Sequence, residues 1–171
     1  GNLGKPQDIP FLIECLKEAQ NVKNVYFLIV GNGNDYEKLK FFVKQEKPEN
    51  IKLLSVLPKE DYDSMVGACD VGLIFLDHRF TIPNFPSRLL TYMQAKLPVL
   101  AVTDPNTDIG KIIVNGGFGW WCESNDPSLF FQKLICIVNS DISLYKKNAW
   151  NYLRKHFSTE LAFEIIMSRL E

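Results

Sequence analysis

The stretch His78-Arg79-Phe80-Thr81-Ile82-Pro83-Asn84-Phe85-Pro86-Ser87-Arg88 gathers an imidazole, two guanidiniums, two hydroxyls and an amide into one loop. Phe85 precedes a proline, which turns its backbone away from helical values. That predicts Phe85 as a helix N-cap with Pro86 at the first helical position. The free amides of Ser87 and Arg88 then point out of the helix start, with a hydroxyl and a guanidinium beside them. Such a group suits a phosphate or diphosphate. An ordinary capped helix carrying a surface arginine is the plain alternative. His78 is a candidate catalytic or substrate-contacting group, although a solvated loop histidine is the commoner case.

Two glycine turns add to this. Gly31-Asn32-Gly33 follows an apolar run and precedes a helical pattern, so backbone there can approach a ligand closely. A dinucleotide fingerprint would need glycine at position 36 and an acid after the next strand. Tyr36 and Ser55 stand there instead, so NAD binding is excluded. An ordinary strand–helix turn remains open for this motif. Gly1-Asn2-Leu3-Gly4-Lys5 is a second glycine turn before a helix, and Lys5 adds a positive charge. No Ser-His-Asp set stands out, and no metal-spaced cluster of His, Cys or acids is visible. Cys15, Cys69, Cys122 and Cys136 show no CxxC spacing. They read as buried free thiols, not as a disulfide or zinc framework.

These residues need a scaffold, and the chain alternates short apolar runs with amphipathic segments. Ile9, Leu12, Ile13, Leu16 and Ala19 form one helical face over 9–20, with Asp8 as N-cap. The run 25–30 (VYFLIV) reads as a strand buried on both faces. A helix follows over 35–46, with Tyr36, Leu39 and Val43 inward, then a strand at 51–54 and a helix at 59–68. A buried strand at 70–76 leads into the polar loop. A helix from Pro86 to about 95, a strand at 98–102, a short helix after Asp108 and a strand at 118–122 come next. Trp120-Trp121 and Phe130-Phe131 read as core. Asp126-Pro127 opens the first of three closing helices, over 128–139, 142–156 and 159–170.

Strand–helix alternation predicts an α/β fold: a Rossmann-like parallel sheet with helices on both faces and extra C-terminal helices. With 171 residues, 46% hydrophobic and a net charge of −1, the chain reads as one globular domain over 1–171. Nineteen basic against twenty acidic residues leave no excess for a nucleic-acid partner. No apolar run approaches the ~18 residues of a membrane span. GNLG looks like the turn after a strand, so the expectation is a fragment lacking an N-terminal part.

The order of these pieces resembles the C-terminal, donor-binding domain of retaining GT-B glycosyltransferases, family 4-like. The resemblance is carried by the GNLG turn, the strand with GNG, VLPKEDYDSMVGACDVGLIFL, FPSRLLTYMQAKLPVLAV and GGFGWWCESNDPSLF. It covers residues 1 to about 138. The PSR-x-x-x-YM pattern looks closest to a subgroup of bacterial fucosamine- and amino-sugar-type transferases.

That resemblance implies half of a GT-B fold whose partner, an N-terminal acceptor-binding domain, lies elsewhere in the protein. The complete enzyme would pass a hexose or amino sugar from a UDP- or GDP-linked donor to a glycan or lipid-linked acceptor in surface polysaccharide synthesis. The fragment alone would be inactive. Gly4 and Lys5 would approach the diphosphate, Gly31 and Gly33 would flank the nucleoside, and Leu57 and Pro58 would offer backbone to the base. Ser87 and Arg88 would hold the diphosphate, and Thr91 would lie near the ribose. His78 and Asn84 would be candidates for a sugar contact. No cofactor and no metal would be needed, because protein cations balance the leaving group; no residue is assigned to catalysis. The place would be cytoplasmic, with peripheral attachment at the inner membrane face left open. Four positions depart from the family pattern. Its glutamate pair falls on Pro83 and Thr91, and its Arg and Lys near the first turn fall on Asn2 and Gln7. A non-catalytic nucleotide-binding regulatory module and a GT-B nucleotide-sugar epimerase are the alternatives.

Overall fold

The structure, a computed structural model, describes residues 1–79 and 85–169. After a 3₁₀ turn at Lys5–Gln7 come α1 (Ile9–Ala19), β1 (Phe27–Val30), α2 (Tyr36–Glu46), β2 (Ile51–Leu54) and α3 (Lys59–Gly67). The second half holds β3 (Gly72–Phe75), α4 (Arg88–Gln94), β4 (Val99–Thr103), α5 (Ile109–Asn115) and β5 (Gly119–Glu123). It closes with α6 (Pro127–Val138), α7 (Ser143–His156) and α8 (Thr159–Met167). Each expected helix and strand is present, several with trimmed ends.

The helix starts follow from local chemistry. Asp8, left-handed at φ 45°, accepts from the Phe11 amide at 3.3 Å. Asp126 accepts from Ser128 at 2.8 Å with Pro127 at the first helical position. Caps of this kind are worth about 1 kcal/mol each. The start of α4 corrects the sequence reading. Its cap is Ser87, not Phe85, and Arg88 is its first residue. The Leu89 amide donates to Pro86 O at 2.9 Å, so the proline supplies the first acceptor instead of the first helical turn.

All strand pairs are parallel, but they form two sheets where one was expected: β1-β2 and β3-β4-β5. Strand β4 is wholly buried, and alternate residues serve opposite cores. Leu100 and Val102, with Trp120 and Cys122 of β5, pack on α1 and α6 through Leu12, Leu16, Phe130 and Leu134. Val99 and Ala101, with Ile74 of β3, pack on Leu89, Met93, Ile113 and Leu153 from α4, α5 and α7. Two covered faces explain a strand with no polar alternation. Strand β1 differs from the expectation. Phe27 is buried but Leu28 is 40% exposed, so β1 is covered on one face only.

The aromatic residues behave as core. Trp120 stacks on Tyr145 at 4.3 Å. The Trp121 ring fills the space a side chain at Gly110 would need, and its indole N–H donates to Thr103 Oγ1 at 2.9 Å. Of the thiols, Cys15 and Cys122 are buried, Cys69 is half-buried, and Cys136 is exposed, which corrects the expectation of four buried cysteines. Among the described residues no helix is long and apolar enough to cross a membrane.

Candidate functional site

The carboxyl ends of the strands carry nearly every residue singled out above. Open parallel sheets bind ligands along that edge. Strand β1 runs into Gly31-Asn32-Gly33, β2 leads to Leu57-Pro58, β3 to Asp77-His78-Arg79, and β4 to Asp104. The ends of the three-stranded sheet are tied together. Ser124 Oγ donates to Leu76 O at 2.5 Å, and the Ser124 amide to Thr103 O at 3.0 Å.

The first turn is the centre of this edge. The Leu3 amide donates to Asn32 O at 2.9 Å, and the Asn32 amide to Gly1 O at 3.1 Å. A Cβ at Gly31 would overlap the Gly1 carbonyl, and one at Gly33, φ 153°, would overlap Leu3. Both glycines are therefore required by the chain's own close approach. Gly4 is different: a Cβ there would meet no atom nearer than 3.7 Å. Internal packing does not demand glycine at position 4. Its amide donates to Gln7 Oε1 at 3.2 Å.

One cation leans over the turn. The Arg88 guanidinium leans over Gly1, where any side chain would strike it. Lys5 is exposed on the 3₁₀ turn. The Asp77 amide donates to Pro6 O at 3.0 Å, which ties that turn to the end of β3. Arg79 binds Asp77 with both arms, Nε at 2.9 Å and Nη2 at 2.6 Å, and lies 3.8 Å from Asp8. These guanidinium hydrogen bonds hold the Asp77 carboxyl below the usual carboxylate range. His78 Nδ1, 3.7 Å from Asp77 Oδ1, is buried without a hydrogen-bond partner. Asp8, Asp77 and His78 offer ligand atoms within 4.8 Å of one another. The Arg79 guanidinium already meets both carboxylates.

The structure thus brings together Gly1–Leu3, Gly31–Gly33 and Arg88, while His78 lies at the end of β3, beside the Asp77 that bonds Pro6. Ser87 is exposed beside Arg88, and Thr91 follows one turn later on α4, half-exposed. Leu57 and Pro58 lie on the same strand edge, at the end of β2. Asn84 and Pro83 lie outside the described residues.

Residues 1–155 match the family described as Glycosyl transferases group 1. This chain belongs to that family. Among its relatives is the probable glycosyltransferase WbjE of Pseudomonas aeruginosa, 26% identical over 164 residues, 96% of this chain and 41% of WbjE. The chain thus spans about two fifths of the curated relatives it matches (41% in each case). The Anabaena HepE crystal structure in complex with UDP aligns with a TM-score of 0.76 and 20% identity, covering 99% of this chain and 46% of that one. The C-terminal domain of the group 1 glycosyl transferase LpcC from Francisella tularensis aligns at 0.69 and 18% identity, covering 93% of this chain and 84% of that one. The fold is that of GT-B glycosyltransferases.

Two acids of this group 1 domain escaped the sequence reading. Asp77 lies at the end of β3, and its only signal was its place directly before His78. Asp104 is fully buried at the end of β4. Its Oδ1 accepts from the Asn106 and Thr107 amides at 2.8 Å each, while Oδ2 is buried without a partner. Asp-Pro-Asn directly after a buried strand is a turn signal that would have found it.

Proposed function

We propose that this group 1 domain holds a nucleoside diphosphate sugar at its carboxyl edge, and that the complete protein transfers the sugar to a glycan or lipid-linked acceptor. The observation that carries this reading is the Arg88 guanidinium over the Gly1–Gly4 turn at the carboxyl end of β1, with Lys5 next in sequence on the exposed 3₁₀ turn. Gly4 leaves room for close backbone approach that the chain itself does not use. An occupant that suits a glycine turn beside a guanidinium is a diphosphate. HepE, which shares the fold, is known with UDP bound.

In the transfer step the bond from sugar to diphosphate breaks and negative charge grows on the leaving oxygens. Fixed donors aimed at that charge lower the barrier more than they tighten substrate binding. Arg88 and Lys5 take that role, with the Ser87 hydroxyl beside them. His78 is the candidate for a contact on the sugar side. Leu57 and Pro58 offer backbone to the base, and Thr91 replaces a longer acidic contact to the ribose with a hydroxyl. The donor is the substrate, and charge neutralisation is assigned to protein cations without a cofactor. The amino-sugar subgroup rests on Pro86-Ser87-Arg88 and Tyr92-Met93, and surface polysaccharide synthesis is the setting that goes with it. The acceptor domain precedes this one in the complete enzyme, and the present chain alone binds donor without turnover.

Calorimetric titration with UDP, GDP and NAD tests the reading. Binding of a nucleoside diphosphate at high micromolar to millimolar level corresponds to about −4 to −6 kcal/mol. NAD binding without any nucleoside diphosphate binding refutes it.

A further inference from the structure

Helix α7 is basic in a chain whose net charge is −1. Residues 143–158 hold Lys146, Lys147, Arg154 and Lys155 and no acid. The inward side of the helix is occupied. Ala149 and Leu153 are buried beside Leu89 and Met93 of α4. Tyr145 stacks on Trp120 at 4.3 Å, and Tyr152 meets Phe118 at 5.1 Å. Asn148 donates to Gly117 O at 2.9 Å. None of these contacts uses the cations.

The helical repeat puts Lys146, Lys147, Trp150 and Arg154 on one other side of α7. Lys96, just past α4, adds a further cation there: its ammonium stands 5.5 Å from the centre of the Trp150 ring. The turn that carries Lys96 is fixed, since its amide donates to Met93 O at 3.0 Å and the Leu97 amide to Tyr92 O at 2.8 Å. Lys96 is left-handed at φ 57°, a conformation that glycine adopts at less cost. A cation is thus held over the indole at some expense. Among the described residues Asp70, 3.5 Å from Lys146, is the one carboxylate paired with this group, and Lys96, Lys147 and Arg154 form no ion pair. All three are exposed, and Trp150 between them is half-buried. Leu144, one turn before Lys147, is 63% exposed.

These cations do not converge on a point, as a site for a small anion would require. They line more than two turns of helix, with an aromatic ring in their midst and a leucine at the end. That is the complement of a broad anionic surface with an apolar layer beneath it. We propose that this side of α7, together with Lys96, rests on a bilayer containing anionic lipids. The ammonium and guanidinium groups meet the phosphates, and Trp150 and Leu144 enter the headgroup layer. The docking does not depend on the donor reading. Its consequence does: Phe157, at the end of α7, meets Phe85 at 5.5 Å, three residues before Arg88. Trp150 precedes Phe157 by two turns, roughly 10 Å, so the bilayer lies near the donor edge, where a lipid-linked acceptor would be presented.

Sedimentation of the complete protein with vesicles tests the proposal. Phosphatidylcholine vesicles should leave it in solution, and vesicles of equal parts phosphatidylcholine and phosphatidylglycerol should carry it down. Lys147→Glu with Arg154→Glu should lower that affinity roughly 25-fold or more, about fivefold for each cation. The thermal midpoint should not change, because both side chains are exposed and without an ion pair among the described residues. Tryptophan emission should shift to the blue on the mixed vesicles, and Trp150→Phe should show less of that shift. Equal binding to both kinds of vesicle, or equal binding by wild type and the double variant, overturns the proposal. So does a blue shift that Trp150→Phe leaves intact. Binding to polyphosphate with none to vesicles also overturns it and makes the partner a soluble polyanion.

Discussion

Arg88→Ala isolates the contact on which the donor reading turns. Among the described residues no carboxylate pairs with Arg88, so its removal strands no buried acid. The anchors of α4, Leu89 and Met93, are fully buried on the opposite side of the helix and keep their packing. Stability should therefore change by no more than about 0.5 kcal/mol. A charge-assisted hydrogen bond to a diphosphate is worth about 1.5–3 kcal/mol. That predicts a roughly ten- to hundredfold loss in affinity for UDP or GDP. Uridine, which carries no phosphate, should lose almost nothing. The assay is calorimetric titration of wild type and variant with UDP and uridine. Repeating it at about 0.1 and 1 M salt shortens the Debye length from ~10 to ~3 Å and should narrow the difference. Equal losses on uridine and UDP, or no loss on either, remove Arg88 from the site.

Thr91→Ala should weaken nucleoside and diphosphate alike, because a hydroxyl facing the ribose ignores the phosphates; a loss confined to UDP contradicts that placement. Gly4→Ala should leave the thermal midpoint unchanged while weakening UDP, whereas Gly31→Ala should lower the midpoint because its Cβ overlaps Gly1. A melting curve for each checks the contrast, and similar curves would sink it. Ile74 is 1% exposed, so Ile74→Ala should cost about 2–5 kcal/mol in urea unfolding; the half-buried Ile29 should cost clearly less, and equal costs would contradict the difference in burial. Asp77 has a depressed folded pKa, so its contribution is present above the unfolded value of about 3.9 and fades as pH falls through the folded one. Arg79 is 70% exposed, so solvent screens the pair and keeps its contribution small. Asp77→Asn should be less stable than wild type at pH 7, and the gap should close in strong acid; a gap independent of pH counts against the pairing.

Strand β4 was legible because both of its faces are buried, so Val99, Leu100, Ala101 and Val102 announce themselves as an apolar run. Helix α1 was legible because its face repeats at helical spacing and Asp8 caps it. Strand β1 carries an equally apolar run, yet Leu28 is exposed. Composition records that a strand is suited to burial on both faces, not whether the covering element is present. The start of α4 went wrong for a local reason: proline fixes its own φ but does not decide whether it opens the helix or accepts from it. At the site, the glycines were legible as places of close approach. What approaches Gly31 and Gly33 is the chain's own first turn, a contact between positions thirty apart that spacing alone does not reveal. Asp77 and Arg79 were hidden because their significance lies in a pairing with each other and with Asp8.

The packing of α1 on α6 sets a delay during synthesis. The apolar side of α1, from Ile9 to Ala19, has its helical partner in Phe130, Leu134 and Ile137. About 110 residues must be translated after α1 before α6 begins, which at ribosomal rates takes on the order of 5–20 s. Over that interval α1 waits with Phe11 and Leu12 uncovered by their final neighbour, while β3, β4 and the helices between them emerge. A nascent chain halted before position 138 carries that unpaired face, the kind of surface a holding chaperone binds. Release should therefore coincide with the appearance of α6.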